Sequence, residues 1–240
     1  MKPVLIIQQV LHDTPDYFED FLISQNISYE IRHMHRGELP PESLAGYSGY
    51  CMLGGPMSVN DEANFPFLRQ EKALVREALA LNIPMIGHCL GGQLISTALG
   101  GTVSSAPMQE IGWCQINVAD NAEARDWFGG HASPEFFQWH NETFSIPANA
   151  RLIASSAHCA NQAFVIGDRH IGMQFHCEVN QEKVQYWAEQ EKADIDAVLH
   201  LPSVQSSESI VATLPERIPQ SHTLAQSIYR RWLSNVSTLN

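Results

Sequence analysis

"IPMIGHCLGGQLIS", residues 83–96, decides the fold. A continuous apolar run of strand length leads into Gly87, and a helix-like run leads out from Leu90. Between them, Gly87, Cys89 and Gly91 form G-x-C-x-G, the cysteine counterpart of the G-x-S-x-G nucleophile elbow. A sharp strand-to-helix turn strains the central residue and drives the residues two places away into collision unless they lack a Cβ. It also sets Cys89 at a helix N-terminus, where partial positive charge favours thiolate over thiol. The N–H of Leu90 has no acceptor within its own helix and can meet a developing oxyanion. The plain alternative is a buried cysteine in a glycine-rich turn, since free cysteine is among the most buried residues.

Outward from this junction, the first hundred residues alternate strand-length apolar runs with helix-period segments. Strands are expected at 3–10, 28–34, 49–55 and 83–87, and helices at 16–25, 67–82 and from Leu90. Such alternation argues for a doubly wound, mostly parallel sheet flanked by helices. Beyond Gly100–Gly101 the segments 111–118, 150–156, 162–168 and 170–176 read as strands close in sequence, which adds antiparallel pieces. A helix is expected at 181–200, then a polar connection and a last helix near 222–234. The expected organisation is one domain over 1–190, with 191–240 a helical C-terminal extension packed on it.

A thiolate nucleophile needs a base, and an oxyanion needs a second donor. "LGGP" (53–56) ends another parallel strand, so its glycine amides lie on the same sheet edge, and Gly55 can bring its N–H close to a substrate. A tight turn is the bland reading of that stretch, and no G-x-x-x-x-G-K-[ST] follows to make it a P-loop. In "MQFHCEV" (173–179) an extended backbone puts His176 and Glu178 on one face, so the carboxylate can fix the imidazole's tautomer and support its protonated form. His140 is a second, weaker candidate base among eleven histidines.

Charge and composition narrow the function classes. Lys plus Arg number 14 against 26 Asp plus Glu, a formal charge of −12 with no basic patch, which argues against nucleic acid and anionic membrane surfaces as partners. No apolar stretch approaches the roughly 18 residues of a membrane span, and the opening run is too short for a signal peptide. Five cysteines without C-x-x-C spacing fit free thiols in a reducing compartment, so the expected location is cytoplasmic.

Taken together these pieces resemble the class I, triad-type glutamine amidotransferases. "GHCLGGQLI" looks like that family's nucleophile signature, "GGP" its oxyanion strand end, and "FHCE" (175–178) its His-x-Glu pair. "EIGW" (110–113), "WHNETFSIP" (139–147), "LIASS" (152–156) and "NQAF" (161–164) resemble the stand-alone branch related to the glutaminase domain of GMP synthetase. The resemblance implies a flavodoxin-like fold and a catalytic triad of Cys89, His176 and Glu178. It implies an oxyanion hole at Gly55 and Leu90, with Gln93 contacting substrate glutamine and Trp139, His140 and Asn141 bordering it. No cofactor and no metal are implied. Expected partners are glutamine or a γ-glutamyl compound and, for the ammonia, a separate synthetase subunit. Two departures stand out. Cys177 replaces the family's usual proline and is expected to loosen the hold of Glu178 on His176, and Gly92 replaces a larger residue and is expected to widen the pocket.

Other readings stay open at this level. A γ-glutamyl peptidase or hydrolase needs no acceptor subunit. A DJ-1-like redox or chaperone protein shares the elbow but needs an acid beside the thiol and no Gln93. A silent regulatory protein, or a metal site from His88, Cys89, His176 and Cys177, completes the set.

Overall fold

The computed structural model describes residues 2–236. Its strands are β1 (Val4–Gln8), β2 (Tyr29–His33), β3 (Gly49–Met52), β4 (Met85–His88), β5 (Val103–Val118), β6 (Glu135–Phe144), β7 (Arg151–Ser156), β8 (Ala163–Ile166) and β9 (His170–Met173). Its helices are α1 (Asp16–Ser24), α2 (Phe67–Leu81), α3 (Leu90–Ala98), α4 (Ala122–Trp127), α5 (Gln181–Gln190), α6 (Lys192–Val198) and α7 (Ser207–Val236). The strands form one nine-stranded sheet, ordered β2-β1-β3-β4-β9-β8-β7-β5-β6. Neighbours from β2 to β9 run parallel, and those from β9 to β6 antiparallel. The doubly wound sheet with added antiparallel strands is therefore present.

Strand β1 explains why the parallel half reads as unbroken apolar sequence. Val4 and Ile6 enter the core beneath α1 and α7, with Phe18, Leu22, Tyr229 and Trp232. Leu5 and Ile7, pointing the other way, enter the core beneath α2 and α3, with Leu68, Val75, Leu90 and Leu94. A strand covered on both faces needs apolar residues at every position. A third core joins β5 and β6 to the C-terminal segments through Trp113, Phe137, Val184, Ile195, Ile210 and Leu214.

Several boundaries differ from the sequence reading. The segment 181–200 is two helices, α5 and α6, parted at Glu191. Strand β6 and helix α4 were not anticipated, and β5 begins at Val103 with an irregularity between Ser105 and Glu110. The last helix begins at Ser207 rather than near 222 and runs through Pro215 and Pro219. Each interior proline costs about 3 kcal/mol. Both lie on the exposed face, while Ile210, Leu214, Ile218, Ile228, Tyr229, Trp232 and Val236 are buried at about 1.5–3 kcal/mol each. Burial wins over propensity.

Packing at the elbow leaves no room for side chains. A Cβ on Gly91 would stand 2.1 Å from the Met52 carbonyl oxygen of β3, and one on Gly87 would stand 2.5 Å from the Gly91 carbonyl carbon. Both obstacles are backbone, so nothing can swing aside. Gly91→Ala is expected to destabilise the fold by about 3 kcal/mol, the upper range for overpacking, and to lower Tm by about 6–12 °C. Thermal unfolding followed by circular dichroism measures it; an unchanged Tm would mean that α3 can shift away from β3.

Candidate active site

The carboxyl ends of β1, β3, β4 and β9 open on one edge of the sheet, where open α/β folds bind ligands. Cys89 stands there between β4 and α3, with φ 48° and ψ −107°. A positive φ at a non-glycine residue is the strain expected of an elbow nucleophile. Leu90 heads α3. A Cβ on Gly55 would come within 3.1 Å of the Leu90 Cδ2 atom, so the two expected oxyanion donors are neighbours.

His176 and Glu178 follow β9, and they lie beyond its last residue rather than inside the strand. His176 is held instead by a bridge to Phe137 of β6, its N–H donating to the Phe137 carbonyl at 2.8 Å. The offset of two residues still brings the side chains together: His176 Nδ1 lies 2.7 Å from Glu178 Oε1. A carboxylate only accepts, so Nδ1 carries the proton and Nε2 is left for Cys89, which is close enough to act on the ring's charge. Burial disfavours the charged ring, yet Glu178 and Cys89 outweigh it and push His176 up to about 10. Burial likewise opposes the Glu178 charge, and His176 with His88 overcomes it, holding the carboxyl well below its usual range. The pair is thus built to keep an imidazolium beside a sulfur.

The expected loosening at Cys177 does not occur. Its side chain is buried against Tyr229 of α7, Sγ to hydroxyl 3.4 Å. The backbone on either side is tied down. The Tyr17 N–H donates to the Glu178 carbonyl at 2.9 Å, and His222 Nε2 to the Val179 carbonyl at 2.9 Å. Gly92 does not widen the pocket either: a Cβ there would meet the Met173 carbonyl oxygen at 2.5 Å, so the glycine seats α3 against β9. The metal set from His88, Cys89, His176 and Cys177 does not assemble, because Cys177 points into the core while Cys89 and His176 face the cleft.

That cleft holds about 550 Å³, within the range of small-ligand sites. Gly55, Cys89, Gln93, Trp139, His140, Asn141 and His176 all line it. Of the expected substrate contacts, His140 differs in kind. Its Nδ1 lies 2.9 Å from the Glu142 carbonyl and its Nε2 2.8 Å from Glu110 Oε2, so both ring nitrogens are engaged. Glu110, fully buried, also accepts from Ser156 Oγ at 2.6 Å and Gln162 Nε2 at 2.7 Å. "EIGW" and "WHNE" therefore form a buried polar brace under the cleft. Gln174 was missed from sequence: its Nε2 lies 3.5 Å from Cys89 Sγ and its Oε1 3.4 Å from Gln93 Nε2. Trp187 of α5 was missed as well; its ring stands edge-on to His176 at 5.3 Å between centroids. No local motif marks either residue.

Comparison with known proteins identifies the family. The profile described as "Glutamine amidotransferase class-I" matches residues 20–190. The chain belongs to the class I glutamine amidotransferases. A relative from Saccharolobus solfataricus, named as one subunit of glutamine-hydrolysing GMP synthase, is 34% identical over 169 residues, 66% of this chain and 82% of the relative. A crystal structure of a glutamine amidotransferase from Methylobacillus flagellatus superposes with a TM-score of 0.93 at 40% identity, over 98% of this chain and 95% of that one. One from Thermotoga maritima superposes with a TM-score of 0.85 at 30% identity, over 96% of this chain and 97% of that one. Among the described residues no helix is long and apolar enough to cross a membrane.

Proposed function

We propose that this amidotransferase hydrolyses a γ-glutamyl amide, glutamine first, through a thioester on Cys89. The carrying observation is that Cys89 and His176 share one wall of the cleft, with Glu178 hydrogen-bonded to the ring at Nδ1. With the Cys89 proton already held on His176 Nε2, the sulfur attacks the γ-carbonyl carbon. The N–H groups of Gly55 and Leu90 receive the oxyanion, where one donor is typically worth about 10²–10³ in rate. As the C–N bond breaks, His176 returns the proton to the departing nitrogen. Water, deprotonated by the same ring, then cleaves the thioester and releases glutamate. Gln93, with Trp139 and Asn141, borders the glutamyl moiety; His140, braced by Glu110, positions that wall rather than donating to substrate.

A separate ammonia-accepting synthetase is the partner this reading calls for, in line with a relative named as a GMP synthase subunit. The five free cysteines suit a reducing, cytoplasmic setting. A second reading, hydrolysis of larger γ-glutamyl compounds without an acceptor, gains from a cleft that Tyr186 and Asp194 line along with Cys89 and His176.

The thioester itself is testable. Protein quenched in acid during turnover of glutamine or a γ-glutamyl amide is expected to carry a γ-glutamyl adduct on the Cys89 peptide, read by mass spectrometry. Steady turnover with no adduct on that peptide, and a rate unchanged by blocking the thiol, would overturn the covalent route.

A further inference from the structure

The cleft continues past the triad toward the loop after β1, and there it changes character. Asp13, on that loop, is one of four acids that line the cleft as a whole, with Glu142, Glu191 and Asp194, and none of the described lining residues is Lys or Arg. Acidic side chains on a rim are ordinary in a chain of net charge −12. Asp13 is different, because it is only 9% exposed. Among the described residues none donates a hydrogen bond to its carboxylate; Lys183 and His176 attract it and Glu178 and Asp16 repel it through space alone. Lys183, the cation that lowers it most, is committed to Asp16 Oδ2 at 2.9 Å and to the Thr14 carbonyl. Burial raises the Asp13 carboxyl above its ordinary value, ahead of the lowering by Lys183 and His176. The carboxylate thus opens on the cleft with no protein donor committed to it, and a bound ligand can donate to it directly.

Its position fixes which part of a substrate it meets. Asp13 Oδ2 lies 3.7 Å from where a Cβ on Gly54 would stand, and from that same point His176 Cε1 is 3.0 Å and Cys89 Cβ 3.7 Å. Asp13, the acid–base residue and the nucleophile thus converge on one glycine. Under the proposed chemistry His176 hands its proton to the leaving nitrogen, so a group beside His176 faces the amine that departs. The loop carrying Asp13 is held over the cleft by His12, stacked on Tyr186 of α5 at 4.3 Å.

We infer that Asp13 selects the leaving group, and that the preferred substrates are γ-glutamyl amides of amines bearing a second, positively charged nitrogen. This inference rests on the proposed γ-amide hydrolysis and deepens it. A γ-glutamyl peptide keeps a carboxylate on its leaving group and meets repulsion from Asp13. A mono-amide of a short diamine places its ammonium against Asp13 and donates to it.

Three substrates of similar size read the preference: γ-glutamyl ethylenediamine (cationic), γ-glutamyl propylamide (neutral) and γ-glutamylglycine (anionic). At low salt the cationic amide is expected to exceed the anionic one by about tenfold or more in kcat/KM, the scale of one charge pair at an intermediate dielectric. Asp13→Asn is expected to remove most of that gap, chiefly by raising KM for the cationic amide, with the neutral amide of the same variant as the reference. Equal rates for the three, or a gap that Asp13→Asn leaves intact, overturn the inference. A second measurement needs no turnover. The alkylation rates of Cys89 by bromoethylamine and iodoacetate, each divided by its rate with free cysteine, are expected to favour the cation, and Asp13→Asn to abolish the preference. If hydrolysis is silent but this preference holds, the charge selection stands and the hydrolytic reading falls. If hydrolysis proceeds without charge preference in either measurement, the hydrolytic reading stands and the selection falls.

Discussion

Cys89→Ala is expected to lower glutamate release from glutamine by about 10⁴-fold or more, with the fold unchanged. Members of a nucleophilic triad act as a unit, so removing the nucleophile costs most of the rate, and what remains over water comes from binding and the oxyanion donors. Alanine is the informative replacement here. Position 89 sits at φ 48°, a conformation that strains alanine and cysteine alike, so the backbone energy of the elbow is preserved. The lost sulfur faces the cleft rather than a packed core, so little cavity is created. The other four cysteines supply the control. Burial pushes the thiols of Cys51, Cys159 and Cys177 up and that of Cys114 up to about 12, so none of them is poised as a thiolate. Cys114→Ser, outside the cleft, is expected to stay within about twofold of the parent rate. Steady-state glutamate assay of the two variants decides the matter. A Cys89→Ala protein with near-parental activity would require another nucleophile and would remove the thioester from the mechanism.

The elbow was legible in the sequence because its constraint is local. Gly87, Cys89 and Gly91 are fixed by a collision between a turn and the strand beside it, and the spacing alone records that collision. The same holds for His176 and Glu178, where a two-residue offset survives even though the segment leaves the strand before reaching them. Features built from distant segments were not legible. Strand β6 pairs with a strand that starts at Val103 and bends near Glu110, and its run "EFFQWHNETF" shows no clean alternation, because both its faces are partly covered. Pro215 and Pro219 read as breakers, whereas the tertiary contacts of Tyr229 and Trp232 carry the helix through them. Asp13 and Gln174 reach the site only through folding, and neither belongs to a pattern of residue types that chemistry would single out in advance.

Glu178→Gln separates orientation from packing at the triad and is expected to lower kcat/KM by about 10²–10⁴-fold. The glutamate does two things that a neutral amide of the same shape cannot. It accepts only, which fixes the proton of His176 on Nδ1 and turns Nε2 to the thiol, and its charge supports the imidazolium. Burial alone would depress the ring's pKa; Glu178, followed by Cys89, reverses that and carries it to about 10. Taking the charge away returns control to burial, so the pKa of His176 falls. Activity that requires the imidazolium is lost as pH rises through that value. The alkaline limb of the kcat/KM profile is therefore expected to move to lower pH by about one unit or more. Glutamine also carries a donor where, among the described residues, Glu178 Oε2 has no hydrogen-bond partner and lies 4.0 Å from His88 Nε2. Burial holds His88 down at about 4, so at neutral pH it offers no charge to replace the one removed. A variant that loses activity only through disturbed packing would show a lower Tm with the limb in place. A shifted limb at nearly constant Tm is the signature of the electrostatic role, and an unshifted limb with full activity would take Glu178 out of the triad.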